Sequence, residues 1–288
     1  MRLVVVSGLS GSGKSVALHM LEDLGYYCVD NIPAALLKPL IAHCMRGAED
    51  LYTRTAVGLD ARNLAVEIEG VPGTLRELRR SGIDCDVVFL QADDEVLLKR
   101  YSETRRRHPL LAEGVDLHAA IAAERGLLDP ITSAADLIID TSSMGMHDLR
   151  ELVRSRVDPR RTAAMSVLFE SFGYKHGIPG DADFVFDVRS LPNPYWEHAL
   201  RDLTGLDAAV GEFLERQPQV GPLVEELAAF LARRIEEATA GNRRYLTVAI
   251  GCTGGRHRSV YVVERLAAHF RRGHNRVLTR HAGLRGGG

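Results

Sequence analysis

The apolar positions of the first half fall into short unbroken runs separated by stretches of helical period. Leu3–Val6, Tyr26–Val29, Thr55–Leu59, Val87–Leu90 and Leu137–Ile139 read as strands. Several are continuously apolar rather than alternating, the pattern of strands covered on both faces in a parallel sheet. Between them, Val16, Met20, Leu21 and Leu24 share one helical face, and Gly25 stands where that helix stops. Pro33 can open the next helix, with Leu36, Leu37, Leu40, Ile41 and Cys44 inward and Gly47 beyond its end. Thr74–Arg80, Glu95–Arg107, Leu117–Leu128 and Met146–Val157 are further helical stretches. Such β-α units joined by short loops predict a doubly wound α/β domain over residues 1–155.

Helical periodicity ends around Arg154-Ser155-Arg156-Val157-Asp158-Pro159-Arg160-Arg161, which reads as a linker. A second, smaller α/β domain is expected over residues 162–288. Its strands are Met165–Phe169, Asp183–Val188 and Tyr245–Ile250, and its helices Val220–Ala240 and Ser259–Arg272. Gly173 to Pro194 reads as loops around one strand, and the Gly-Gly-Gly end as frayed.

Composition narrows the class. Of 288 residues, 45% are hydrophobic and 26% charged, which excludes wholesale disorder. No apolar run approaches the ~18 residues of a membrane span, and the start lacks the apolar core of a signal peptide. Cys28, Cys44, Cys85 and Cys252 show neither C-x-x-C spacing nor histidine partners, so a reducing, cytoplasmic location without structural metal is expected. The net charge of −2 conceals an asymmetry: residues 1–155 hold 17 basic and 23 acidic side chains, residues 156–288 hold 19 and 15. Arg271 to Gly288 carries five arginines and no acid, which suits an anionic partner such as RNA and equally a solvated tail.

The chemistry begins at Gly8-Leu9-Ser10-Gly11-Ser12-Gly13-Lys14-Ser15, a full G-x-x-x-x-G-K-[ST] match between an apolar strand and an amphipathic helix. Glycines let successive N–H groups turn inward at a positive helix end, forming an anion cradle. Lys14 can reach the β- and γ-phosphates of a nucleoside triphosphate, and the Ser15 hydroxyl can ligate Mg2+. Asp60, closing the apolar run from Thr55, is the best acidic partner for the metal, with Asp30 and Asp93 as alternatives that would otherwise cap helices. Lys99, Arg100, Arg105, Arg106, Arg107 and His108 suit a mobile phosphoryl-clamping lid, or simply a solvated helix face. The lid reading implies a small-metabolite kinase as one alternative function. No guanine-reading N-K-x-D segment is present, so the base is open.

A second cradle is expected at Gly251-Cys252-Thr253-Gly254-Gly255-Arg256-His257-Arg258-Ser259, again between a buried strand and an amphipathic helix. Its C-x5-R-S spacing is the one cysteine phosphatases use, with backbone N–H groups and an arginine fork around a phosphate. Cys252 is either a nucleophile, with Asp181, Asp183 or Asp187 as acid, or a small residue lining a binding pocket, the favoured reading.

The stretches GLSGSGKSVAL, LGYYCVDNIP, LDARN, RYSETRRRHPL, ESFGYKHGIPGDADFVFDVRSLPNPYW and YLTVAIGCTGGRHRSVYVVE closely resemble the RapZ/YvcJ family of bacterial nucleotide-binding proteins, over almost the whole chain. The resemblance implies ATP and GTP binding and hydrolysis, with Gly8–Ser15 as P-loop and Asp60, Ala61, Arg62 and Asn63 as a segment assigned to GTP. It implies homo-oligomers and, as in enterobacterial members, an adapter that presents small RNA to a ribonuclease and senses a sugar phosphate. That pocket maps to Asp187, Cys252, Thr253, Gly254, His257, Arg258 and Ser259, and Lys175 matches a lysine of RNA contact. The chain departs from those adapters in having Tyr195 where they have His, and in ending without their dense Lys/Arg tail.

Overall fold

The computed structural model describes residues 1–46, 52–63, 65–104, 107–111, 115–157, 165–274 and 276–284. The chain divides into two compact units, Met1–Pro159 and Arg160–Gly288. In the first, β1 (Arg2–Gly8), β2 (Tyr27–Val29), β3 (Arg54–Gly58), β4 (Asp84–Gln91) and β5 (Leu137–Asp140) form one sheet in the order β2-β3-β1-β4-β5. Every pairing is parallel. Among the described residues six helices connect and flank these strands, α4 and α5 in succession between β4 and β5: α1 (Lys14–Asp23), α2 (Leu37–Arg46), α3 (Ala65–Arg80), α4 (Asp94–Thr104), α5 (Leu117–Ser133) and α6 (Met146–Val157). The reason is visible in β1, where Leu3, Val4, Val5 and Val6 are all fully buried in the middle of the sheet. Burial of each such side chain is worth about 1.5–3 kcal/mol, and only helices on both faces can supply it to consecutive residues.

Element edges depart from expectation where polar or helix-breaking residues hide the period. Helix α3 starts at Ala65, well before Thr74, because Ile68 and Val71 turn inward with Leu75 and Leu78 despite Gly70, Pro72 and Gly73. The stretch from Pro33 is split into a 3-10 turn at Ala34–Leu36 and then α2, which leaves Leu36 facing outward rather than inward.

The second unit is built likewise. Strands β6 (Ser166–Gly173), β7 (Phe184–Asp187), β8 (Tyr245–Cys252) and β9 (Val277–His281) lie parallel in the order β7-β8-β6-β9. Helices α7 (Ala208–Glu215), α8 (Val220–Ala240) and α9 (Arg258–Arg271) complete it. Its own core includes Phe169, Leu231, Val248, Val262 and Leu266.

Two elements here were absent from the sequence reading, α7 and β9. The arginine-rich end is not simply a solvated tail: Val277–His281 pairs with β6, and Arg280 is buried against Glu170 and Asp181. The same partnership carries β6 beyond Phe169, since Glu170 meets Arg280 and the Ser171 hydroxyl lies 2.9 Å from His281 Nδ1. The expected linker residues 158–161 and the Gly-Gly-Gly end lie outside the described residues. No helix among the described residues is long and apolar enough to cross a membrane.

Candidate functional site

The first cradle forms where β1 gives way to α1. Gly8 ends the strand at φ 147, and a Cβ there would stand 2.1 Å from the Leu90 carbonyl oxygen, so only glycine permits the turn. Leu9 N–H then donates to that carbonyl (3.0 Å) and Ser12 N–H to Leu9 O (3.0 Å). Gly13 is left-handed, and α1 opens at Lys14 without a side-chain cap. Its first-turn amides therefore have no carbonyl partner within the helix and present a positive end to an anion.

Lys14 Nζ donates to Gly8 O at 2.6 Å, folded back over the loop. Burial pulls its pKa below the ordinary lysine value, against the pull of Glu124, Asp60 and Asp30; Arg62 adds to the lowering. Ser15 is exposed at the head of the helix.

Three residues that the sequence reading did not assign to the loop hold it from behind. Ser10 is bound to Glu124 of α5. Arg100 of α4 donates to Gly11 O (3.0 Å) and to Thr141 O (2.6 Å), and the Thr141 hydroxyl reaches Ser12 O at 3.0 Å. Arg100 is thus a fixed strut rather than part of a mobile lid. Arg107 bonds Leu111 O (3.1 Å) in its own segment, whereas Arg105 and Arg106 lie outside the described residues.

Asp60 follows β3 at the same end of the sheet. Its carboxylate accepts from Arg62 N–H (2.9 Å) and pairs with Arg62 Nε (3.3 Å). Asn31, held at φ 53 after β2, sets its amide against Asp60 and Arg62; with the amide turned nitrogen-first it would donate to both Asp60 oxygens (2.9 and 3.1 Å) and its oxygen would accept from Arg62 Nη1 (3.2 Å). Asn63 bonds Asp60 O (2.9 Å), and Ala61 is buried below. Asp30 caps no helix; its Oδ1 lies over Gly58, where a Cβ would stand only 2.4 Å away. Asp93 sits before α4, where its carbonyl accepts from Leu97 N–H. The loops after β2 and β3 border an open cleft of about 300 Å3 lined by Asn31, Ile32, Pro33, Arg62, Asn63 and Glu67. A serine hydroxyl and a carboxylate are oxygen donors of the kind magnesium takes.

The second cradle joins β8 to α9. Cys252 Sγ accepts from Gly255 N–H (3.3 Å) and lies 3.2 Å from Ser259 Oγ. Burial pushes this thiol up, but Ser259, Gly255 and Arg258 together outweigh it and hold the thiol below its ordinary pKa. Arg258 Nη1 donates to the carbonyls of Arg189 (2.7 Å) and Leu191 (2.9 Å), and Nη2 to Thr253 Oγ1 (3.3 Å). Its buried Nε has no partner among the described residues.

Burial lowers the His257 pKa, against the pull of the Leu200 carbonyl, which accepts or faces its Nε2 at 3.2 Å. A Cβ added at Gly254 would meet no atom within 4 Å. Lys175 is exposed beside the loop, its N–H donating to Thr253 O at 3.3 Å. Asp187 ends β7 at this edge, gripped by Arg189 at 2.7–3.0 Å, and the Arg189 guanidinium covers the Tyr174 ring at 4.0 Å. Of the three proposed acids only Asp187 stands near the cradle. Asp183 is held by Thr247 N–H and Arg243 at the start of β8, and Asp181 lies by Arg280.

A parallel sheet with a glycine-rich anion loop after its central strand makes the first unit a P-loop α/β domain, followed here by a second α/β unit with its own helix-end loop. The chain belongs to the RapZ family: residues 1–161 match the RapZ-like N-terminal domain, and residues 165–285 the RapZ C-terminal domain. A relative in Nitrosococcus oceani named nucleotide-binding protein is 51% identical over 284 residues, spanning 99% of this chain and 100% of its own. One in Methylococcus capsulatus, likewise named, is 50% identical across 99% of this chain and 96% of its own. Among solved structures, shikimate kinase from Bacteroides thetaiotaomicron is 13% identical, covering 55% of this chain and 98% of that one at a TM-score of 0.38.

Proposed function

We propose that the protein is a cytoplasmic nucleotide-binding regulator that slowly hydrolyses ATP and GTP at the first cradle and senses a phosphorylated small molecule at the second. The observation that carries the reading is the uncapped start of α1 with Lys14 beside it. Lys14 stabilises the charge that develops on the γ-phosphoryl group, and the loop amides hold the β-phosphate. Ser15 and Asp60 would hold Mg2+, whose charge would offset that of the triphosphate. Ala61, Arg62 and Asn63 contribute the second nucleotide segment, whose Arg62 is already steered by Asp60 and Asn31. The relatives named nucleotide-binding protein support this reading.

In the second unit Cys252, Thr253, Gly254, His257, Arg258 and Ser259 surround the phosphate of a small ligand, a sugar phosphate being the model case, with Asp187 at the rim. Arg258 Nε is a buried donor for that ligand to meet. Lys175 beside the loop would link ligand state to a small RNA delivered to a ribonuclease, and the protein would work as a homo-oligomer.

Full-length Lys14→Ala should lose hydrolysis while still binding a sugar phosphate through Arg258, by calorimetry; turnover equal to wild type refutes the assignment. The cleft beside Asp60 favours one second reading, transfer of the γ-phosphoryl group to a small acceptor. ADP release stimulated by an added metabolite would decide for it, and basal release alone against it.

A further inference from the structure

Behind the P-loop lies a buried carboxyl group that holding a phosphate does not by itself require. Glu124 of α5 is fully buried, and both its oxygens are engaged by one residue. Ser10 N–H donates to Oε2 at 2.9 Å, and Ser10 Oγ lies 2.6 Å from Oε1. A third partner is His108, whose Nε2 lies 3.1 Å from Glu124 Oε2. The proton's place follows from the other ring nitrogen. Leu110 N–H donates to His108 Nδ1 (3.1 Å), so Nδ1 carries no proton, Nε2 does, and the neutral ring donates to the carboxylate. The Tyr101 ring of α4 covers His108 at 5.3 Å. Ser10 N–H, Ser10 Oγ and His108 Nε2 thus converge on one buried carboxyl group.

Ser10 is the third residue of the loop motif, between two turns that depend on glycine.

We infer that Glu124 is the positioning residue of the nucleotide site: it pins the P-loop through Ser10, and His108 locks its carboxyl group in place. It acts on a ligand through Ser10 alone. The loop is thereby held in shape before a triphosphate arrives. The inference rests on the nucleotide reading above.

The test is binding of a fluorescent ATP or GTP analogue to the full chain, with circular dichroism as the folding control. Glu124→Gln puts an amide NH2 in place of one of the two oxygens that Ser10 engages. Its affinity should fall roughly tenfold or more, the scale of a buried donor left unmatched. Glu124→Asp keeps both oxygens but shortens the reach, so binding should weaken too. Ser10→Ala loses only the hydroxyl contact and should bind roughly threefold more weakly. In the double variant Ser10→Ala with Glu124→Gln the two losses should overlap rather than add, because both act on one contact.

Wild-type affinity in Glu124→Gln would overturn the inference, and so would fully additive losses in the double variant. If Glu124→Gln does not fold, unchanged affinity in Ser10→Ala overturns the pinning. Wild-type protein that binds neither analogue sinks the nucleotide reading itself, a result distinct from a wild type that binds and a Glu124→Gln that is indifferent.

Discussion

The four cysteines divide by surroundings, and the division has measurable consequences. Burial pushes the Cys28 thiol up to about 11 and the Cys85 thiol up to about 12, whereas Cys252 is held below its ordinary value despite burial. Iodoacetamide alkylation followed by peptide mass spectrometry should therefore give Cys252 the lowest-pH inflection of the three, and Ser259→Ala should move it upward. A Cys252 profile that coincides with that of Cys28 would show that the cradle does not stabilise a thiolate.

Cys85 has the opposite sign. Its folded-state pKa lies above the unfolded one, so its contribution is complete below pH about 9 and is lost as pH rises toward about 12. The loss should reach roughly 4 kcal/mol at most. Urea unfolding between those limits should steepen less with pH in Cys85→Val than in wild type.

At the scale of elements, the second cradle depends on backbones that approach it closely. A Cβ at Gly205 would lie 2.3 Å from His257 O and 2.5 Å from Tyr261 N, at the very start of α9. Gly205→Ala should then cost about 1–3 kcal/mol through displacement of packed backbone and weaken sugar-phosphate binding, read by thermal unfolding and calorimetry. Unchanged binding would mean that α9 tolerates the shift.

This dependence also explains what the sequence could not tell. The strand–loop–helix passages around Gly8–Ser15 and Cys252–Ser259 were legible because a glycine run sits between a continuous apolar strand and a periodic helix. Gly205 was invisible because its constraint comes from a residue 52 positions on. Glu124 was hidden likewise: in sequence it is one more polar position on α5, and only the fold brings it beneath Ser10. Strand β9 escaped because Thr279, Arg280 and His281 break its apolar run, and their partners Glu170 and Ser171 lie on a strand more than a hundred residues earlier.

On the scale of the molecule, two sheets with separate cores imply that damage to one should spare the other. The first core gathers around Leu3, Val5 and Phe89, the second around Phe169, Val248 and Leu266, and the two share no residue. Phe169 is fully buried in β6 and stacks on Phe270 at 5.6 Å, so its truncation leaves a void that neighbours only partly fill. Phe169→Ala should cost about 3–5 kcal/mol, a large share of one domain's stability. Hydrogen exchange of the full-length variant, read by mass spectrometry, should show protection falling in β6, β8 and α9 while β1 and β4 keep theirs. Nucleotide affinity should be preserved alongside, because Ser10, Lys14 and Glu124 all hang from the other sheet. Protection lost in β1 at the same time would mean that the two units unfold as one.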